Sequence, residues 1–310
     1  MRICDLTLVQ ASARLAGDGL YWGVGPFIVR LKSRLPDFNH TFYRLYAHHR
    51  LLEPDFGGVS DFHIDLHPSR GMRRFWHPQV FFALDGPTGL APFPLDHAVP
   101  LFEWGFNYAI ARRANQYLLL HAAVVARGDR AMVLPALPGS GKSTLCAALV
   151  ARGWRLLSDE FAAIRPATGL IHPIPRPIAL KNASIAIIRA FHPEAIIGPT
   201  FPKTRKGNVA HMQPPAASVQ AEEEPARPVW VVSPKYQPDL KRPVLDPMSQ
   251  DHGFMRLAGH SFNYELLGAR GFATATALAR ACRCFELGFA DLEAAVALLD
   301  GLAAADAGAA

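Results

Sequence analysis

Apolar residues in the first hundred positions fall into short runs separated by turn residues. Three of these runs, 27–31, 62–66 and 80–84, have the length and composition of β-strands, and Phe, His, Pro and Gly are frequent around them. This part of the chain contains no catalytic motif. We therefore predict a small, mostly β accessory domain over residues 1–100.

The pattern changes near residue 100, where apolar residues recur with the spacing of a helix. Phe102, Phe106 and Ile110 share one face of a predicted helix over residues 101–115. At this change of pattern we place the start of a second domain, which we expect to cover residues 101–302.

Two apolar, strand-like runs follow that helix, and a polar turn joins them. The runs cover residues 117–125 and 131–134, and the turn contains Gly128, so a β-hairpin is predicted. A glycine-rich segment, 136–142, comes directly after the second run. The pattern of a helix then begins at Ser143.

The helix that leaves the glycine-rich segment is predicted to be short. Gly153 is well placed to end it, because glycine readily adopts the left-handed conformation that follows many helices. Residues 154–157 predict a further strand, which leads into Asp159 and Glu160. The chain thus alternates strand, loop, helix and strand around the glycines.

The last third of the chain gives coarser signals. A stretch rich in Pro and Glu, 213–228, predicts a solvated loop or linker, and residues 229–232 predict a strand. The alanine-rich stretch 266–302 predicts two helices divided near Gly288, and we expect residues 303–310 to fray. Together with the earlier elements, this predicts a mixed α/β fold.

The composition is that of a folded globular protein. Of the 310 residues, 50% are hydrophobic and 19% are charged, which excludes disorder as the main state. The 32 basic and 26 acidic side chains leave a net charge of +6. This mild excess suits a protein that handles phosphates but is too diffuse to indicate nucleic acid as a partner.

The four cysteines indicate neither a disulfide scaffold nor a zinc site. Cys4 and Cys146 stand alone, and Cys282 and Cys284 form a C-x-C without a second pair, so a reducing, cytoplasmic location is expected. The N-terminal segment lacks the apolar core of a signal peptide. No apolar stretch approaches the roughly 18 residues of a spanning helix, so we expect no membrane partner.

Residues 136–143 match the Walker A motif of P-loop proteins, G-x-x-x-x-G-K-[ST], except that Ala136 replaces the first glycine. The glycines let several backbone N–H groups point at one anion, and the following helix adds the positive end of its dipole. Lys142 would reach the β- and γ-phosphates of ATP, and the Ser143 hydroxyl would hold Mg²⁺. The predicted nucleotide-binding residues are Pro138, Gly139, Ser140, Gly141, Lys142, Ser143 and Thr144. The alternative, an ordinary turn before a helix, is disfavoured by the strand–loop–helix context.

Asp159 is the candidate proton acceptor, because it emerges at the end of the strand that follows the helix. A carboxylate there can hold Mg²⁺ or accept a proton from an attacking hydroxyl. Its neighbour Glu160 is a further candidate metal ligand. The alternative for Asp159 is that Ser158-Asp159 caps a turn. His121 is either a satisfied core histidine or, because its strand leads into the glycine-rich segment, a residue near Asp159 that tunes its pKa or holds it in position.

These features, in this order, resemble the catalytic domain of HPr kinase/phosphorylase. That family has a His-Gly on a strand, a hairpin, a G-x-x-G-x-G-K-S loop, a short helix and an acidic pair at the end of the next strand. The matching positions here are His121-Ala122, residues 136–143 and Asp159-Glu160. Segments 175–182, 204–207 and 260–264 look more closely like the HPr-kinase-related kinase A group. The resemblance covers roughly residues 100–300.

The resemblance implies a core akin to that of phosphoenolpyruvate carboxykinase and Mg²⁺-dependent transfer of the ATP γ-phosphoryl group to a serine or threonine hydroxyl. It implies Asp159 as catalytic acid/base, Glu160, which replaces an Asp, near the metal, and His121 as the assisting histidine. The Glu and Arg-Gly signature that follows the acids in HPr kinases is absent. We therefore expect neither HPr as substrate nor the reverse phosphorylase reaction.

The related group is associated with small peptide-binding proteins of the PqqD type. This association suggests a peptide or small carrier protein, such as a PqqD-like protein, as the substrate. HPr kinases form oligomers, so the resemblance leaves a homo-oligomer open.

Four basic residues are weaker candidates for contacts with phosphate or substrate. They are Arg176, Lys181, Arg205 and Lys206. The cations of residues 203–207 lie either on a solvated face or on a loop that neutralises phosphate charge during transfer. Asn263, which lies between two aromatic residues, is interpreted as a buried hydrogen-bonding side chain.

The leading interpretation is an ATP- and Mg²⁺-dependent serine/threonine kinase of a peptide or small protein. One alternative is a small-molecule kinase. Another is a nucleotide-gated binding or scaffold module that does not transfer phosphate. The Asp159-Glu160 pair favours an enzyme, because a pure binder needs no proton acceptor beside the metal.

Overall fold

The computed structural model describes residues 1–69, 71–137 and 139–307. Within these residues the strands form three sheets, and helices pack on their faces. The first sheet contains β1 (Leu20–Val24), β2 (Phe27–Ser33), β3 (Leu51–Leu52), β4 (Phe62–Pro68), β5 (Gln79–Leu84) and β6 (Phe93–Pro94), in the order β3-β1-β2-β4-β5-β6. The strands predicted at 27–31, 62–66 and 80–84 are confirmed.

Three helices accompany the first sheet: α1 (Leu8–Ala16), α2 (Pro36–Leu45) and α3 (Ala98–Arg113). The helix predicted over 101–115 is therefore confirmed as α3. The apolar residues of α3 pack into the same core as Trp22. The Trp22 ring packs edge-on against the rings of Phe42 and Phe106, with distances between ring centroids of 5.7 Å and 5.9 Å. Such aromatic pairs add packing energy beyond the area that they bury.

The second sheet carries the glycine-rich segment. It contains β7 (Leu118–Arg127), β8 (Arg130–Pro135), β9 (Arg155–Ser158), β10 (Phe161–Ile164), β11 (Ile171–His172), β15 (Arg227–Tyr236), β16 (Val244–Met248) and β17 (Arg283–Phe289). The order is β11-β10-β7-β8-β15-β17-β16, with β9 paired to β7. β7 and β8 form the predicted antiparallel hairpin, while β8, β15 and β17 run parallel.

Helices cover both faces of this second sheet. The remaining helices are α4 (Lys142–Ala151), α5 (Ala183–Phe191), α6 (Ala216–Gln220), α7 (Gln250–Gly259), α8 (Tyr264–Leu267), α9 (Ala269–Ala281) and α10 (Leu292–Ala307). Along β8, Met132 and Leu134 join the core under α4 and α10, whereas Val133 joins the core under α7 and α9. This alternation follows from the two-residue period of a strand. The predicted mixed α/β fold is confirmed.

A third, antiparallel sheet lies beside the acidic pair. It contains β12 (Ile178–Lys181), β13 (Phe201–Thr204) and β14 (Gly207–Met212), in the order β12-β14-β13. Ile178 and Leu180 of β12 pack into the core that also contains α4. The third sheet thus brings Lys181 and the 204–207 turn to the side of the site that α3 approaches.

Three expectations about the last third of the chain need correction. The stretch 266–302 is not two helices alone, because β17 lies between α9 and α10 and pairs parallel with β15 and antiparallel with β16. The stretch 213–228 is not all solvated, because it contains α6, and Glu222 is buried and accepts a hydrogen bond from Gly25 N. The tail 303–310, which was expected to fray, is helical up to Ala307. Residues 308–310 lie outside the described residues.

Candidate active site

The glycine-rich loop, residues 136–143, connects the end of β8 to the start of α4. Gly139 and Gly141 have φ angles of +88° and +86°, a conformation that residues with a Cβ adopt only at a cost. Ala136 is not among the described non-glycine residues with positive φ, so alanine fits there without backbone strain. Pro138, a predicted binding residue, lies outside the described residues.

The start of α4 presents free backbone donors to this loop. Gly141 is the N-cap residue, and no side chain caps it within the described residues. The first amides of a helix have no partner within the helix, so the N–H groups around Ser143 and Thr144 are available to an anion. The loop is also bound to the end of β15, where Tyr236 N donates a hydrogen bond to Ser140 O at 3.0 Å.

Lys142 reaches from the first turn of α4 to the end of β9. Its side chain is buried, and Nζ donates to the backbone carbonyl of Asp159 at 3.1 Å. The same Nζ lies 3.5 Å from His121 Nε2. The structure therefore brings the three predicted catalytic residues, His121, Lys142 and Asp159, into one cluster.

Asp159 is buried, and its two carboxylate oxygens differ. Oδ2 accepts a hydrogen bond from Ala179 N at 3.2 Å, whereas Oδ1 has no hydrogen-bond partner among the described residues. Burial raises the pKa of Asp159 to about 7, although Lys142 and the adjoining Ser143 hydroxyl oppose the rise. Near neutral pH this carboxyl group can therefore either hold or accept a proton.

Glu160 and His121 form the second part of the cluster. His121 was expected near Asp159, but its Nδ1 lies 3.4 Å from Glu160 Oε2, so its carboxylate contact is with Glu160. Burial and the positive charge of Lys142 lower the pKa of His121 to about 4, and the ring is neutral at pH 7. Burial favours the neutral form of Glu160, but the positive charges of Lys142, Lys181 and Lys206 favour the ionised form and lower the pKa of that carboxyl. In the acidic pair, the carboxyl of Asp159 therefore titrates near neutral pH, whereas the carboxyl of Glu160 is ionised.

Arg176 is held in a buried network that sequence reasoning did not foresee. Its guanidinium donates to Glu103 Oε2 at 2.5 Å and to Asn107 Oδ1 at 2.6 Å, both on α3. Tyr46 Oη donates to Glu103 Oε1 at 2.6 Å. The only sequence signal for Glu103 was that it is the one acidic residue of a helix whose surrounding positions are largely apolar. The network fixes α3 beside the acidic pair.

Three of the weaker basic candidates lie close together beside Glu160: Lys181, Arg205 and Lys206. All three line a cavity of about 180 Å³, which Glu160 also lines. Burial and repulsion from Lys206 lower the pKa of Lys181. Three of the four weaker basic candidates therefore cluster next to Glu160, and Arg176 lines a smaller cavity together with Asp159 and Glu160.

Asn263 is buried, as predicted, and it joins the loop before α8 to the start of β7. Its Oδ1 accepts from Leu119 N at 3.0 Å, and its Nδ2 donates to the carbonyl of Tyr117 at 2.9 Å. The adjoining Phe262 ring contacts the His121 ring at 5.7 Å. This segment therefore holds in place the strand that carries His121.

The oxygen donors at the loop suit a magnesium ion. Ser143 and the unpartnered Oδ1 of Asp159 converge at the start of α4, and Mg²⁺ prefers such hard oxygen ligands. No group of three or more His, Cys, Asp or Glu side chains within the described residues has the arrangement of a metal site. The donor set fits Mg²⁺ that takes its other ligands from phosphate oxygens and water, which is its usual mode of binding.

No protein-family model matches the chain, and no curated protein matches it either. The resemblance to HPr kinase-like proteins therefore stays a prediction from the motifs. Among the described helices, none combines the length and the apolar character needed to cross a membrane.

Proposed function

We propose that the protein is an ATP- and Mg²⁺-dependent phosphotransferase of the HPr kinase-like type, with a core akin to that of phosphoenolpyruvate carboxykinase. The observation that carries the proposal is the surroundings of Asp159. A buried carboxyl with one unpartnered oxygen and a pKa of about 7 adjoins the Ser143 hydroxyl at the free N-terminus of α4. A structural aspartate at a turn needs none of these features.

The glycine-rich loop would bind the phosphates of ATP. The free amides at the start of α4 and the Lys142 ammonium supply positive charge where the β- and γ-phosphates lie in P-loop proteins. Lys142 contacts the Asp159 carbonyl at 3.1 Å, so one side chain links the phosphate site to the acid. Ser143 and Asp159 would hold Mg²⁺, which would neutralise phosphate charge when bound.

The acceptor hydroxyl would lose its proton to the Asp159 carboxylate. As that proton leaves, the acceptor oxygen forms a bond to the γ-phosphorus, and the bond between the γ-phosphorus and the β,γ-bridging oxygen breaks. The electron pair of the broken bond stays on ADP. Glu160 and neutral His121 keep the acid and Lys142 in position. The acceptor that we propose is a serine or threonine of a peptide or small carrier protein, of the PqqD-like kind.

Calorimetric titration with Mg-ATP and a transfer assay with γ-labelled ATP test this function. We expect wild type to bind Mg-ATP and to label a discrete polypeptide in an extract of the cells that make the protein. Lys142→Ala should abolish the label transfer. Wild type that binds no Mg-ATP would refute the proposal, and label that moves only to a small molecule would replace the protein acceptor by a metabolite.

A further inference from the structure

A cavity of about 180 Å³ adjoins the acidic pair on the side away from the glycine-rich loop. Both halves of the chain form its walls. Phe93 of β6 and Trp104 of α3 belong to the N-terminal part of the chain, residues 1–113, which packs around the first sheet, and their rings stack at 5.7 Å. Lys181 comes from β12 of the third sheet, and Arg205 and Lys206 come from the turn between β13 and β14. The volume is close to the ~150 Å³ of an engineered protein cavity that binds benzene, so it admits one side chain or a small molecule.

The charges around this basic cavity are unbalanced. Within the part of the chain that the structure describes, neither Lys181 nor Lys206 has an ion pair, and Arg205 lies over the Phe93 ring at 5.6 Å. The acids in the wall do not balance these three cations. Glu103 is paired with Arg176, and the single carboxylate of Glu160 attracts both Lys181 and Lys206. The excess of positive charge around the cavity favours the binding of an anion there.

The basic cavity leads toward the proposed proton acceptor. A smaller cavity of about 20 Å³ is lined by Asp159, and Glu160, Ala179 and His211 line both cavities. His211 is 3% exposed, and its Nδ1 has no hydrogen-bond partner among the described residues. An unpartnered buried polar atom costs stability unless a ligand or water satisfies it. The two cavities thus share a polar wall that extends from the cations to the acid.

We propose that the basic cavity binds a carboxylate of the phosphate acceptor, next to the hydroxyl that receives the phosphoryl group. This inference rests on the proposed function and names the acceptor chemistry: a hydroxyl and a carboxylate a few ångströms apart, with a small apolar body against Trp104. The N-terminal part of the chain is thereby a specificity element. The same chemistry occurs in a free hydroxy amino acid and in a peptide with an acidic residue beside its serine.

Product-like probes that differ only in the carboxylate test the proposal. Calorimetry in the presence of Mg-ADP would compare O-phospho-L-serine with O-phosphoethanolamine. The peptide arm would compare acetyl-phosphoseryl-aspartyl amide with acetyl-phosphoseryl-asparaginyl amide. Each pair is measured with wild type, Lys206→Gln and the matched control Lys203→Gln. Lys203 is an exposed cation on the same hairpin that does not line the cavity.

In at least one pair, we expect wild type and Lys203→Gln to bind the probe with the carboxylate about tenfold more tightly than the probe without it. Lys206→Gln should lose that preference. A preference in the first pair identifies a free acceptor, and a preference in the second identifies a peptide. Equal affinities within both pairs for wild type, or a preference that survives Lys206→Gln, would overturn the inference. Mg-ATP binding is measured separately, so a carboxylate preference without Mg-ATP binding contradicts only the kinase.

Discussion

Two opposing effects set the ionisation of Asp159. Burial and the charge of Glu160 disfavour the charge of Asp159 and raise its pKa, while the nearby Lys142 ammonium and the Ser143 hydroxyl favour that charge. Burial dominates, and the pKa settles at about 7. A general base works best when its pKa lies near the working pH, so this balance suits proton transfer.

The balance predicts the titration of Asp159. In the protein without nucleotide or metal, the carboxyl should titrate near pH 7, so the base form grows as the pH rises through neutrality. Lys142→Met should move the midpoint further upward, because the lysine lowers the pKa of Asp159. Carbon-13 NMR of the carboxyl group measures both midpoints. An Asp159 midpoint near 4 in wild type, or a downward shift in Lys142→Met, would contradict this account.

At the scale of elements, the glycine-rich loop depends on close packing as well as on φ. A Cβ placed on Gly141 would lie 3.0 Å from Phe289 Cζ, whereas a Cβ on Gly139 would meet no atom within 4 Å among the described residues. Both glycines have positive φ. An alanine at Gly139 therefore introduces backbone strain alone, whereas an alanine at Gly141 introduces backbone strain and a steric contact.

Gly141→Ala should destabilise the protein more than Gly139→Ala does. Both alanines carry a strain of about 1–2 kcal/mol from the left-handed backbone, and only Gly141→Ala must also displace Phe289. Urea unfolding of the two variants measures the difference. Equal losses of stability would show that Phe289 does not confine the loop.

The elements near the loop were predictable because their signals are local. The hairpin β7–β8, the loop and α4 follow one another in sequence, and turn residues separate them. β17 was missed because its short run, Arg283–Phe289, lies between two alanine-rich helices and alternates poorly. The third sheet was missed because its pairing joins Leu180 to Ala210, and such long-range contacts leave no local pattern. For the same reason the contacts of Arg176 with α3 could not be predicted.

At the scale of the whole molecule, buried polar contacts join the N-terminal part to the glycine-rich half. Arg176 pairs with Glu103 of α3, and His49 Nε2 donates to the carbonyl of Pro175 at 2.8 Å. Gly25 N donates to the buried Glu222 at 3.0 Å. These contacts fix the wall of the basic cavity that carries Trp104.

Removal of one partner of the buried ion pair should be costly. Arg176→Met leaves the Glu103 carboxylate buried without its cation, and we expect a loss of about 3–5 kcal/mol in the free energy of unfolding. The double variant Arg176→Met with Glu103→Leu should recover much of that loss, because no charge then stays unpaired. Chemical denaturation measures each variant. A double variant no more stable than Arg176→Met alone would contradict this reasoning.

The central claim is that Asp159 accepts the proton of the acceptor hydroxyl. The most direct measurement is γ-label transfer by wild type and Asp159→Asn, with Mg-ATP affinity determined for both and Glu160→Gln as the matched carboxyl control. We expect Asp159→Asn to bind Mg-ATP and to lose at least ~10²-fold in transfer rate, and Glu160→Gln to lose less. If Asp159→Asn transferred the label as fast as wild type does, the claim would be contradicted.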